Sequence, residues 1–223
     1  SVALAHAASS RAGQVTVEPS GFVATIDNPY MPLRPGTTLV YETPGADARV
    51  VVVVTCETRV VQGVTCTVVD DRAYVGGVLE ESTRDWFAQD TDGNVWYFGE
   101  ATAERDADGN VVSTAGSWEA GVDGAEAGIV MLAQNRPGQW YQQEYYEGEA
   151  EDRAKVLRLS APVTVPAGRF EGCLETKEWT PLTRGQVEHK FYAPGTGLVL
   201  VESLTGGPIE REELVSVSFR PCP

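Results

Sequence analysis

The chain has 223 residues, 42% hydrophobic and 22% charged, with 17 Lys plus Arg against 32 Asp plus Glu and a net charge of −15. This composition gives one globular domain with a real core, excludes disorder over most of the chain, and repels phosphate backbones, so no nucleic acid is expected as a partner. The longest unbroken aliphatic run is Val50 to Val54, far below the roughly 20 apolar residues of a spanning helix, and no transmembrane segment is expected.

The chain opens on an Ala-rich stretch in which Ala5-His6-Ala7 has the small-x-small form of a signal-peptidase site. Residues 1–20 are read as a flexible tail or signal-peptide remnant, the remnant itself ending near residue 8, and 21–223 as a single β-rich domain. Beyond the tail, short apolar or alternating runs recur about every ten residues between Gly, Pro and Asp clusters, the pattern of an antiparallel meander. Strands are predicted at 22–26, 37–42, 48–58, 64–75, 78–89, 94–104 and 110–119, then at 139–146, 155–159, 163–165, 173–178, 186–192, 198–202 and 212–219. A proline-stiffened loop is predicted at 27–36, a long connection at 120–138, and one or two helical turns at 149–156. So many antiparallel strands must close or stack, which predicts an all-β barrel or half-barrel, with a two-sheet sandwich as the alternative.

Four cysteines with no C-x-x-C spacing fit disulfides better than zinc, which favours export to the cell envelope or beyond. Of the three pairings, Cys56 with Cys66 and Cys173 with Cys222 are expected. The first requires a five-residue loop at 59–63; a two-residue turn at Gln62-Gly63 would instead set Cys66 opposite Arg59.

Val163 to Cys173 (VTVPAGRFEGC) and Phe191 to Val199 (FYAPGTGLV) resemble a broad group of exported bacterial β-rich domains. Asp85 to Glu100 (DWFAQDTDGNVWYFGE), Gly116 to Gly124 and Gln143 to Asp152 resemble a narrower family within it, the likeness running over about 22–217. The broad group is similar to lipoprotein-carrier and lipocalin-like half-barrels that hold apolar ligands; the narrow family brings no activity and no site residues.

Asp92-Gly93 and Asp108-Gly109 each predict a two-residue hairpin turn. The resulting registers oppose Gln89 with Trp96, Phe87 with Phe98 and Asp85 with Glu100, and place Gly99 between Trp86 and Trp118 with Tyr97 alongside. Glu119 then shares the face of Asp85 and Glu100, so three carboxylates gather among aromatics and call for a cation, a shared proton, a positive side chain such as Arg72 or Lys190, or full exposure to water as a solvated outer face. Asp90-x-Asp92-x-Asn94 has the opening spacing of a calcium loop, but Val95 and Ala101 stand where glycine and glutamate belong; Asp106-x-Asp108-x-Asn110 repeats it. His189 is the only histidine outside the tail, which excludes sites needing two imidazoles. The strand at 140–146 has no plainly apolar face, and Glu144 within it is a candidate interior carboxylate.

The expected function is non-catalytic binding of a small or lipid-like ligand inside an exported barrel, using Phe87, Gln89, Trp96, Phe98, Glu144 and Lys190. One alternative is a hydrolase or metal-binding protein built on Asp85, Glu100 and Glu119, with Asp90, Asp92 and Asn94 as the candidate ligands of calcium or another divalent cation. The other is an envelope interaction domain with no pocket.

Overall fold

The computed structural model describes residues 17–223. A single 3-10 turn at Pro19–Gly21 leads into β1 (Phe22–Val23), β2 (Thr37–Glu42), β3 (Ala48–Val61), β4 (Val64–Val75), β5 (Val78–Asp90) and β6 (Val95–Arg105). The short strands β7 (Val111–Ser113), β8 (Trp118–Glu119), β9 (Glu126–Met131), β10 (Trp140–Gln142) and β11 (Glu144–Tyr145) follow. The last five are β12 (Arg153–Val165), β13 (Gly168–Trp179), β14 (Val187–Ala193), β15 (Gly197–Ser203) and β16 (Glu210–Phe219).

The strands pair antiparallel along one path, β10-β12-β13-β14-β15-β16-β2-β3-β4-β5-β6-β9-β11, with β1 on β5 and with β7 and β8 on β6. Its two ends, β10 and β11, are separated in the chain only by Gln143, so the sheet returns on itself as a nearly closed barrel and no second sheet stacks on the first. Closure removes the open edges that a sheet of this length would otherwise present. From β2 to β6 and from β12 to β16 each strand pairs with the next in the chain, and the join between β16 and β2 brings the last strand beside the second.

Several predicted elements come out differently. The connection at 120–138 carries β9, which pairs with β6. The run at 110–119 divides into β7 and β8, and 139–146 divides at Gln143, whose backbone N–H goes to the Asp152 carbonyl. No helix forms at 149–156, because Tyr146 bridges to Ala150 and β12 begins at Arg153. The two runs at 155–159 and 163–165 are one strand broken by three register shifts, the irregularity at which Pro162 fits. Of the expected tail, residues 1–16 lie outside the described residues, while Val17 packs against a core cluster.

Three clusters form the core. One surrounds the barrel interior, with Val69, Phe87, Leu174 and Tyr192. A second fills the opposite face of β4–β6, with Cys66, Trp86 and Phe98, and takes in Trp118 of β8. A third lies under the β12–β13 hairpin, with Leu39, Cys173, Phe191 and Leu214.

The expected disulfides are overturned. Cys56 is bonded to Cys222, while Cys66 and Cys173 are free thiols buried in the second and third clusters. The turn at Gln62-Gly63 is the two-residue one, pairing Val61 with Val64 and Arg59 with Cys66. Cys66 therefore points into the apolar cluster, where burial pushes its thiol up to about 12. Between Val54 and Thr58 the β3–β4 register shifts, and Cys56 in that irregular stretch meets the chain's C-terminal end. One disulfide and two buried thiols replace the fully paired set from which export was argued.

Candidate functional site

Both Asp-Gly hairpins form, but each turn is one residue longer than expected. Asp90 faces Asn94 through its N–H and the Asn94 carbonyl, 2.9 Å, and Asp106 faces Asn110 in the same way, 3.0 Å. The reason is the first aspartate of each Asp-x-Asp-Gly-Asn segment. Asp90 accepts the backbone N–H groups of Asp92 and Asn94, the Asn94 amide and the Trp96 indole N–H. Both of its oxygens therefore serve the turn, and Asn94 Oδ1 accepts the Ala133 N–H. The calcium-like spacing is an Asx-type turn device in both copies, Asp106 doing the same for Asp108 and Asn110. Among the described residues, no three His, Cys, Asp or Glu side chains converge in a way that could hold a metal ion.

The longer turn moves Gln89 opposite Val95, Ala88 opposite Trp96 and Phe87 opposite Tyr97. A bulge at Phe98-Gly99 then restores the Asp85–Glu100 pair. Gly99 sits at φ 134°, and a Cβ there would lie 2.3 Å from the Trp118 carbonyl oxygen and 3.0 Å from the Trp86 ring. Past the second turn the register drifts the other way: Glu104 pairs with Ser113, as the shorter turn would have set it, and one more residue gained between β7 and β8 sets Glu119 opposite Gly99 and Trp118 opposite Glu100. A one-residue slip exchanges faces. Glu119 thus leaves the carboxylate face and pairs with Arg59, whose guanidinium lies 4.0 Å over the Trp86 ring. Trp118 arrives in its place and donates its indole N–H to Glu144, 3.1 Å.

The interior face of these strands lines a cavity of about 390 Å³. The 27–36 loop contributes Met31, Pro32 and Leu33, and the barrel wall adds apolar Leu39, Val52, Val69, Phe87, Val130 and Leu198. Among these stand the carboxyls of Asp71, Asp85, Glu100, Glu144, Asp152 and Glu178, with Lys190 as the cation. An adjoining cleft of about 340 Å³ shares Asp71, Lys190 and Leu198 and adds Glu188, Glu210 and Glu212. The acidic lining thus continues beyond the cavity.

Lys190 binds Glu178 at 3.0 Å and Glu188 at 3.5 Å. Glu178 also accepts from Thr176, Tyr192 and Gln143. Burial alone would raise its carboxyl, but the Lys190 ammonium and these hydrogen bonds hold it below the usual range. The other wall has no such partner. Burial pushes Asp71 up to about 7, with Glu212 and Glu81 adding repulsion, and pushes Glu144 up to about 8, with Asp152 and Glu100 adding to it. Asp85 is raised well above its ordinary value by burial and by Glu100, against the hydrogen bond from Tyr97.

Tyr97 stacks on Phe87 and places its hydroxyl 2.6 Å from Asp85 Oδ1 and 2.9 Å from Glu100 Oε2. A phenol has one hydrogen and a carboxylate has none to give. For both contacts to be hydrogen bonds, one of the two acids must be protonated and donate to the phenol oxygen.

The structure therefore brings together Asp85, Glu100, Glu144, Lys190 and Phe87 and separates the rest of the predicted set. Glu119 lies on the opposite face. Phe98 is fully buried in the second cluster, and Trp96 packs against that cluster with its N–H on Asp90. Gln89 anchors the 27–36 loop, its Oε1 accepting the Asp27 and Asn28 N–H groups and its Nε2 donating to Asp27. Arg72 pairs with Asp70, away from the cavity. His189 binds Glu175 at 3.0 Å. Asp71, Asp152, Glu178 and the bridging hydroxyl of Tyr97 were missed. For Asp71 and Glu178 the signal was present, since alternation along β4 puts Asp71 on the face of Val69, and alternation along β13 puts Glu178 on the face of Thr176 and Leu174.

No protein-family model matches the chain, and no curated protein matches it. Among solved structures, the chain is similar to a Bacteroides fragilis protein described as exported, with a YmcC-like fold. The TM-score is 0.50 at 15% identity, over 85% of this chain and 98% of that one. A Parabacteroides distasonis protein described as a lipoprotein gives a TM-score of 0.47 at 12% identity, over the same shares. The first likeness supports the fold and carries no activity with it.

Proposed function

We propose that this chain is an exported, non-catalytic barrel that binds a small, partly apolar ligand in its interior, in the manner of lipocalin-like carriers. The observation that carries the reading is the cavity of about 390 Å³ beneath the 27–36 loop, with apolar walls and a few convergent polar groups. Ligand pockets typically occupy about 300–1,000 Å³ and have this mixed lining. Export is supported by the Cys56–Cys222 disulfide and by the character of the structural neighbours.

The test is saturable binding of the neutral fluorescent probe N-phenylnaphthylamine. Enhanced emission at one site per chain, lost when Leu198→Trp or Val69→Trp fills the cavity in a variant that keeps its β-sheet circular dichroism, supports the reading. Emission that is absent, or that survives both fillings, overturns it.

A second reading draws on one observation. The Tyr97 hydroxyl between Asp85 and Glu100 implies a held proton, which a hydrolase could use as its general acid with the partner carboxylate as base. Glu119 has no part in that reading. Turnover of a substrate that is abolished by Asp85→Asn and by Glu100→Gln would favour it over simple binding.

A further inference from the structure

The hydrogen-bonding groups around the cavity are unequally divided. Most of the donors that line it are committed to the protein: Tyr41 Oη to the Leu198 carbonyl, Tyr192 Oη and Gln143 Nε2 to Glu178, and Lys190 Nζ to Glu178 and Glu188. Tyr97 gives its one hydrogen to the Asp85–Glu100 pair. The acceptors are in surplus. Asp71 meets no hydrogen-bond donor among the described residues and lines both the cavity and the adjoining cleft. Gln143 is only 7% exposed, its Nε2 is used on Glu178, and its Oε1 meets no donor. Glu144, 9% exposed, lines the cavity with the Trp118 indole and the Asp152 backbone as its donors and no cation beside it.

Charge is divided in the same sense. Lys190 is the only cation lining the cavity and is already spanned by two glutamates, and Arg211 of the adjoining cleft is paired with Glu202 and Glu213, so none of Asp71, Asp85, Glu100 and Glu144 has an ion pair. From the other elements that line the space, Asp152, Glu188 and Glu212 also face it with negative charge. A buried acceptor without a donor, or a buried carboxylate without a cation, costs free energy that the right ligand recovers.

We propose that the ligand of this cavity is a cationic amphiphile: an ammonium or similarly donor-rich head that lies among Asp71, Gln143 and Glu144, on an apolar body that packs against Phe87 and Leu198. The inference rests on the reading of the cavity as a binding site and specifies the class of ligand. Fatty acids and other anionic amphiphiles are excluded by the same division of charge. The carboxyls of Asp71 and Glu144, which burial raises to about 7 and about 8, would lose their protons on binding. The ammonium keeps its own hydrogens, the carboxyl becomes carboxylate, and one proton passes to the buffer for each acid so ionised.

Octylamine, octanol and octanoate share one chain and differ only in the head. Calorimetric titration of the full chain near neutral pH, in two buffers of different ionisation enthalpy, compares them. Octylamine is expected to bind at least about tenfold more tightly than octanol, the scale of one charge-assisted hydrogen bond, with proton release, and octanoate is expected not to bind. Glu144→Gln, which keeps an acceptor for Trp118, and Asp71→Asn should each weaken octylamine by about tenfold and leave octanol within about twofold. Octanol or octanoate binding as tightly as octylamine overturns the inference, as does octylamine affinity unmoved by both substitutions. Failure of octylamine to bind while N-phenylnaphthylamine still binds overturns the inference alone. Failure of every probe overturns the binding reading beneath it.

Discussion

Glu178 and Glu144 line one cavity and are hidden to a similar degree, 6% and 9% exposed. Glu178 is nevertheless held below the usual carboxylate range, and Glu144 is pushed up to about 8. Burial acts on both in the same direction, so burial does not account for the difference. On the β13–β14 wall, Lys190, Tyr192, Thr176 and Gln143 all donate to Glu178. On the facing wall Glu144 has the Trp118 indole, and its charged neighbours are Asp152 and Glu100. One wall is electrostatically complete, while the other is short of one positive charge.

The largest expected effect comes from making the complete wall incomplete. Lys190→Met leaves Glu178 buried without a cation and should cost about 3 kcal/mol, the scale for breaking a buried pair from one side, read as a lowered urea midpoint. The double variant with Glu178→Gln should recover a good part of that loss. A loss below about 1 kcal/mol would mean that water in the cavity already solvates Glu178 and that the two walls do not differ as described.

Opposite pH dependences are expected next. The folded protein holds protons on Asp71 and Glu144 that the unfolded chain has released above about pH 4.5. Their stabilisation is therefore complete below that value and is lost as pH rises through about 7 and about 8, by at most about 1.4 kcal/mol per unit and per group. Glu178 behaves the other way: its contribution is present above the unfolded value and is lost as pH falls through its lowered folded value. Urea midpoints measured from acid to mildly alkaline pH should decline toward alkaline pH in the wild type, and the decline should flatten in Glu144→Gln and Asp71→Asn. A midpoint that rises steadily over the same range would contradict the assignment.

A smaller effect follows for Asp85→Asn. It removes a repelling carboxyl and keeps an acceptor for Tyr97, so stability near neutral pH should be unchanged or raised by up to about 1 kcal/mol. A clear loss in thermal denaturation would place a bound cation on that wall in the native protein. The smallest effect is expected at Glu119→Gln, within about 0.5 kcal/mol, because its pair with Arg59 is open to water.

The fold and half of this site were legible in the sequence because strand pattern and Asp-Gly turns are local signals. The Asp85–Glu100 opposition survived although both turns were misjudged by a residue, since the bulge at Phe98-Gly99 compensated for the first error. The second error was overcompensated: the shift between Arg105 and Glu104 restored the expected register, and one further residue gained between Ser113 and Trp118 carried it past, so Glu119 and Trp118 exchanged faces. The side chains of Asp90 and Asp106 carry the information that would have set both turns, but their spacing also fits a metal loop, and local sequence cannot separate the two. The Lys190 wall could not be paired with the Asp85 wall from sequence, because the two meet only through barrel closure. The disulfide was misassigned for a related reason: Cys56 and Cys222 come together only once β16 lies beside β2.

That disulfide also governs how the molecule would bear a load. Cys56 and Cys222 are 166 residues apart. Tension applied between the two termini enters at Cys222, crosses the sulfur bridge, and leaves through the residues that precede Cys56. The chain enclosed by the bridge, 166 residue steps long, carries no tension, and at about 3.4 Å per step it holds back roughly 560 Å of contour length. In a force-extension measurement the oxidised chain should lengthen only by the segment before Cys56, with β1, β2 and the part of β3 that precedes Cys56 peeling away from their neighbours, while the cavity strands β4–β6 and β13–β15 stay shielded until the bridge is reduced.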